Sequence, residues 1–139
     1  MALRFHPKRG AVLVCNFDTG FEVPEMVKRR PVIVVSPRHR TRHGLCTVVP
    51  LSTTPPAQVC DYHCTVKLDL PAPWRAPEMW VKADMVATVG FHRLDLIATK
   101  RGKDGKRRYL NIRMDDEQLA NVQRAMLHGL GLSHLTEDD

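Results

Sequence analysis

The stretch KRRPVIVVSPR, Lys28 to Arg38, decides how this chain is read. Three cations stand in a row. A proline follows, then four β-branched residues, then Ser36, Pro37 and Arg38. An apolar run of this kind reads as a strand. Its lack of alternation predicts burial on both faces, or a strand passing from one packing layer to another. Pro31 has no N–H to give to a ladder, so it is expected at the strand's first residue or at an edge. Positive charge is thus set against the mouth of a buried strand.

Outward from this run, other short strands are predicted. GAVLVCNF (Gly10 to Phe17) precedes it across a Gly- and Pro-containing loop. LCTVVPLST (Leu45 to Thr53) follows a basic loop and is expected to break at Pro50. YHCTVKLDL (Tyr62 to Leu70) alternates, and MWVKADMVATVG (Met79 to Gly90) carries a fifth strand expected to end near Met85. In the sixth region, KDGK (Lys103 to Lys106) sets Asp-Gly between two strand-like runs, a hairpin signal. The end of the chain changes period. Leu119, Val122, Ala125 or Met126, and Leu130 fall at helical spacing. Asp115 or Asp116 caps this helix, and Gly129 and Gly131 mark its end. Five or six strands and one C-terminal helix predict a mainly β (α+β) fold, a small curled barrel with a helix laid on it.

With 139 residues, one domain spanning 1–139 is expected, with its core at about 7–132 and a flexible tail at 133–139. Charged residues at 26% and apolar ones at 43% exclude a disordered chain. No apolar run approaches the ~20 residues of a membrane helix. MALRFHPKRG lacks the apolar centre of a signal peptide, so a soluble, cytoplasmic protein is expected. Its four cysteines are then expected to be reduced. Cys60, His63 and Cys64 could begin a zinc site, with His39 or His43 adding ligands. No second, similarly spaced pair exists, and Cys64 also fits a buried strand position, so no metal or cofactor is assigned.

The net charge of +6 is unevenly spread. Residues 1–114 carry 20 Lys/Arg against 9 Asp/Glu, whereas residues 115–139 carry 1 against 6. Residues 26–60 hold six Lys/Arg and no carboxylate. A field of one sign draws polyanions, which favours nucleic acid over a merely solvated basic face.

Glycine-rich phosphate loops, a G-x-S-x-G elbow and histidine pairs at metalloprotease spacing are all missing from the sequence. Polar groups concentrate instead at strand ends: Arg29 and Arg30, then Ser52, Thr53 and Thr54, then Lys82 and Asp84, two apart and so on one strand face. If these strands are neighbours, the groups converge. An arginine offers a planar fork to phosphate oxygens and stabilises charge developing on phosphorus. A carboxylate can take the proton of a ribose 2′-OH. Such a set cuts RNA without metal, because RNA carries its own nucleophile. The plainer readings are gatekeeper cations, turn hydroxyls and a surface ion pair.

In order along the chain, KRGAVLVCNF, KRRPVIVVSP, TVVPLST, VKADMVATV and DDEQLANVQRAMLHGLGL resemble the successive blocks of the PemK/MazF family of toxin–antitoxin toxins, over about Pro7 to Leu132. PEMVKRRPV brings it nearest to the YifN-like branch. The resemblance implies an SH3-like barrel of five to seven strands with a C-terminal helix, forming a homodimer. It implies metal-independent cleavage of single-stranded RNA to 2′,3′-cyclic phosphate and 5′-hydroxyl ends, and an antitoxin with an acidic, flexible tail. Arg30 matches the catalytic arginine, for transition-state stabilisation and proton donation. Ser52 and Thr53 match the hydroxyl block that positions phosphate. Asp84 matches an acidic position used as a base, with Lys82 where an arginine serves beside it. Glu22 matches an acidic residue by following Gly20, and Glu25 matches it by distance to Arg30, so the base is Glu22, Glu25 or Asp84. Lys28, Arg29 and Arg38 are expected to draw in the RNA backbone. The alternative is an inactive or gyrase-targeting binding module of the same fold.

Overall fold

The β-branched run lies inside one antiparallel sheet. In a computed structural model describing residues 3–38 and 42–136, the strands are β1 (Ala11–Asn16), β2 (Arg29–Val34), β3 (Leu45–Ser52), β4 (His63–Val66), β5 (Met79–Lys82), β6 (Ala87–Gly90), β7 (Leu94–Ala98), β8 (Tyr109–Leu110) and β9 (Ile112–Arg113). The helix α1 (Asp116–Gly129) follows. The spatial order is β4-β5-β3-β2-β1-β7-β8, with β6 also on β3 and β9 also on β1. The first seven strands have four to eight residues each, and β8 and β9 have two. The mainly β architecture with one C-terminal helix is therefore as expected. The sheet curls but does not close, since its end strands β4 and β8 do not pair.

The missing alternation of the Val-Ile-Val-Val run has a direct cause. Ile33 and Val35 enter one core cluster with Val12, Val14, Val49, Leu51 and the helix residues Leu119, Val122 and Ala125. Val32 and Val34 enter a second, on the opposite face, with Leu13, Cys15, Phe17, Cys46, Val48 and Leu94. Both faces of β1, β2 and β3 are buried, so neither face selects polar residues. The thiols of Cys15 and Cys46 are pushed up to about 12 and about 11, first by burial, and behave as small apolar side chains.

Two prolines inside this ladder correct the expectations that Pro31 starts its strand or lies at an edge and that Pro50 breaks the next. Pro31 is the third residue of β2, and β3 runs through Pro50. The carbonyls of Lys28 and Val34 accept on the β1 side, whereas Val35 N donates to Thr47 O on the β3 side. By alternation, the missing N–H of Pro31 faces β3, where pairing starts only at Val32 opposite Pro50. The missing N–H of Pro50 faces the other flank of β3. There β3 changes partner, from β6 (Val48 opposite Ala87) to β5 (Leu51 opposite Val81). Both prolines sit at gaps in the ladder, where no paired residue calls on the missing N–H.

The remaining elements follow local rules. Asp115 is the helix cap, accepting from Gln118 N at 2.8 Å. At the other end Leu132 N donates to Leu127 O and Gly131 N to His128 O, with Gly131 at φ 74°, a left-handed stop that glycine permits. Leu130, expected on the apolar face, is 62% exposed because it lies past the last full turn. The Asp-Gly hairpin joins β7 to β8, with Gly102 N on Lys106 O and Gly105 at φ 75°. Ser133–Thr136, expected in a flexible tail, forms a short 3-10 turn, and residues 137–139 lie outside the described residues.

Candidate active site

The handover on β3 builds the site. Between Val81 and Ala87 six steps of chain face only three steps of β3, from Leu51 to Val48. The surplus is thrown out as a turn around Ala83 and Asp84, closed by Met85 N on Lys82 O at 3.0 Å. The strand expected to end near Met85 ends at Lys82, an unforeseen strand β6 follows, and Asp84 stands on the turn between the two rather than on a strand face. Lys82 is the last residue of β5.

Facing this turn, β2 and β3 deliver Arg30 and Ser52. Even-numbered positions of both strands (Val32, Val34, Cys46, Val48) belong to the second core, so Arg30 and Ser52 lie on that same face, just past the core's edge. The result is a pocket of about 400 Å³ lined by Arg30, Ser52, Thr54, His63, Lys82 and Asp84, with Met26, Pro55 and Met85 as its apolar part.

Arg30 and Ser52 are each held. Arg30 Nε donates to Val27 O at 3.0 Å, which orients the guanidinium and leaves its two Nη groups to the pocket. Val27 belongs to the β1–β2 loop, and the root of that loop is pinned by Arg93. Arg93 Nη1 donates to Asn16 O and Thr19 O, and its guanidinium lies 4.8 Å from the Phe21 ring centre. Lys28 turns the chain back into β2 at φ 75°, a left-handed conformation costing an L-residue roughly 1–2 kcal/mol. Phe17 N on Lys28 O helps hold it there. Ser52 is buried, and its Oγ accepts from Thr54 N at 3.1 Å. The ammonium of Lys82 is pushed below its ordinary pKa, first by burial. Asp84 opposes that shift, and the nearby Arg30 charge adds to it.

The helix reaches this site through its last residue. A Cβ on Gly129 would come within 3.2 Å of Ala83 O and of Asp84 Cα, and 3.4 Å of Tyr62 Cβ. Glycine there lets α1 press directly on the turn that carries Asp84.

Of the residues expected from sequence, Arg30, Ser52, Lys82 and Asp84 come together. Thr53 does not line the pocket; Thr54 does. Glu22 and Glu25 serve their own loop, Glu25 N donating to Glu22 O at 2.7 Å and Glu22 N to Glu25 Oε1 at 3.2 Å. Both are exposed, and neither lines the pocket. Lys28 and Arg29 are exposed beside Arg30. Arg38 lies beyond the other end of β2, in a separate cavity of about 610 Å³ with Arg4, His6, Arg42 and His43. His39 is outside the described residues. Among the described residues no group of three His, Cys, Asp or Glu is placed to hold a metal. His63 and Met26 were not foreseen as pocket residues, because neither the pairing of β4 with β5 nor the path of the β1–β2 loop is written in local sequence.

A family model described as PemK-like, MazF-like toxin of type II toxin-antitoxin system matches residues 8–128. The chain belongs to this family. It is 32% identical over 151 residues to YifN of Escherichia coli (strain K12), covering 94% of this chain and 95% of that one. Among solved structures it is similar to MazF (Form-I) from Deinococcus radiodurans, with TM-score 0.60, 22% identity, and 92% and 99% of the two chains covered. It is also similar to an endoribonuclease in complex with its cognate antitoxin from Mycobacterial species, with TM-score 0.59, 23% identity, and 91% and 97% covered. At these identities the structural likeness establishes the MazF-like fold. No helix among the described residues is long and apolar enough to cross a membrane.

Proposed function

We propose that this toxin-family protein is a metal-independent endoribonuclease acting on single-stranded RNA. The convergence of Arg30, Ser52, Lys82 and Asp84 on one pocket carries the reading. Among the described residues Asp84 is the one carboxylate in the pocket's lining, so the base falls to it and not to Glu22 or Glu25. In the step, the 2′-oxygen bonds to phosphorus as its proton passes to Asp84, and the bond to the 5′-oxygen breaks. The guanidinium of Arg30 takes the charge building on the non-bridging oxygens. Ser52, buried at the pocket floor, fixes the phosphate. The leaving 5′-oxygen takes a proton from Lys82, whose lowered pKa suits it to give one up. The products are a 2′,3′-cyclic phosphate and a 5′-hydroxyl.

The same reading gives the protein a cytoplasmic site of action, a homodimeric state and an antitoxin whose acidic tail covers the basic groups at both ends of β2. A neighbour in fold is an endoribonuclease in complex with its cognate antitoxin. The test is incubation of the purified protein with single-stranded RNAs of varied sequence in EDTA. Cleavage to cyclic-phosphate ends that Arg30→Ala abolishes is the expected result. Intact RNA in every sequence context overturns the enzyme reading in favour of a binding module, and cleavage that survives Arg30→Ala overturns the site.

A further inference from the structure

Of the titratable residues lining the pocket, His63 is the one to which the proposed step gives no task. It is the first residue of β4, directly opposite Lys82 in the pairing with β5. Cross-strand partners present their side chains on one face, so His63 stands beside Lys82 across the pocket from Arg30 and Ser52. Its ring is not free to turn. Cys60 N donates to His63 Nδ1 at 3.0 Å, and the Tyr62 ring packs at 4.6 Å between centroids. The Tyr62 hydroxyl is itself tied to the Cys60 side chain, which is the first cause of its raised pKa.

The Cys60 contact settles the tautomer. A backbone N–H only donates, so Nδ1 holds a lone pair, and the neutral ring carries its proton on Nε2. A general acid in this position would need a second proton on Nδ1, setting two N–H groups against each other. A general base would need a bare Nε2. The locked ring is neither; it is an uncharged N–H donor.

We infer that His63 is a further substrate-contacting residue of this pocket, a neutral imidazole that donates from Nε2 to a non-bridging oxygen of the bound phosphodiester. The inference rests on the proposed RNA substrate and deepens it. It divides the phosphate's surroundings into charged donors, Arg30 and Lys82, and one neutral donor fixed by the Cys60–His63 loop. No bond is made or broken by His63, and no proton leaves it.

The test compares His63→Gln with His63→Asn. A glutamine amide can reach the place of Nε2 and donate there. An asparagine can still accept from Cys60 N, and so keeps the loop, but falls short of the phosphate. The readouts are kcat/KM for RNA cleavage from pH 7 to 9, and affinity for a 2′-O-methyl RNA of the same sequence, which has the phosphodiester but cannot be cut. The expected result is a loss of about 10- to 100-fold in cleavage for Asn, most of it recovered in Gln. The alkaline limb of the pH profile stays unchanged in both, and binding of the 2′-O-methyl RNA weakens for Asn alone. Wild-type cleavage and binding in His63→Asn overturn the inference. So does a changed alkaline limb, which would make His63 a proton carrier. If the wild-type protein cuts no RNA, the enzyme reading has failed by itself, and the binding comparison still decides whether His63 touches phosphate. Thermal unfolding of both variants separates a lost contact from a lost fold.

Discussion

The two ends of β2 look alike in sequence and differ in space. Lys28, Arg29 and Arg30 stand at one end, and Arg38 lies beyond the other, with Arg42 further along. At the first end, Arg30 meets Ser52, Lys82, His63 and Asp84, a set holding both signs of charge, a hydroxyl and a ring N–H around one pocket. At the second, Arg38 and Arg42 share a cavity with Arg4, His6, His43 and Phe91, and among the described residues its lining has no carboxylate. A one-signed site attracts an anion and holds it. Chemistry on a phosphodiester also needs a group to take a proton and a group to give one. Among the described residues only the first end sets a carboxylate beside its arginine, so under the proposed function the arginine there is the catalyst and the one at the other end an anchor.

The sharpest way to break this comparison is to remove one arginine from each end. Arg30→Ala is expected to lower the cleavage rate by about 10²–10³-fold or more. Arg38→Ala is expected to weaken RNA binding several-fold, with the cleavage rate of bound RNA intact and the slope of log K against log salt reduced by about one. Single-turnover rates and binding at several salt concentrations check both. Equal losses of single-turnover rate in the two variants would erase the distinction.

Gly129→Ala tests whether the helix sets the site. A methyl group at 3.2 Å from Ala83 O and Asp84 Cα must push the turn outward. A loss of roughly 1–3 kcal/mol in stability is expected from such overpacking, together with a fall in kcat larger than the change in RNA affinity. Denaturant unfolding and steady-state kinetics provide the two numbers. Unchanged kcat in a folded variant would mean that Asp84 is not held from behind.

The smallest effect is in pH. Burial disfavours the charged form of Lys82, so the folded protein releases this proton at lower pH than the unfolded chain does. Below the folded pKa the charged group therefore opposes folding, and that cost fades as pH rises towards the ordinary lysine value. RNA, being anionic, favours the protonated form, so affinity is expected to fall as pH rises through the lowered pKa. Lys82→Arg should carry binding to higher pH, because the guanidinium keeps its charge, while cleavage falls for want of a proton to donate. Binding titrations of the two proteins across the alkaline range check this, and identical curves would remove Lys82 from the phosphate's surroundings.

Much of this architecture was legible in the chain because its causes are local. A β-branched run makes a strand, Asp115 three residues before Gln118 makes a cap, Asp-Gly makes a hairpin, and Gly131 makes a stop. The Arg-Pro block, the hydroxyls after Pro50 and the VKAD block also identified Arg30, Ser52, Lys82 and Asp84, four of the residues that meet in the pocket. The two prolines were misread, because whether a missing N–H matters depends on which neighbour that position faces. Glu22 and Glu25 could not be told from Asp84 by composition, since a carboxylate's task depends on what it faces. Their own loop occupies the first two, whereas the slip in register between β5 and β6 places Asp84 in the pocket that Arg30 also lines. His63 drew notice only as half of a metal motif, and its place opposite Lys82 follows from strand pairing. The sequence by itself determined the strands, the helix and the excess of cations. The tertiary structure alone decided which cation meets a carboxylate, because strand register and the handover on β3 are cooperative properties of the whole sheet, and one residue's slip would turn every one of these side chains to the opposite face.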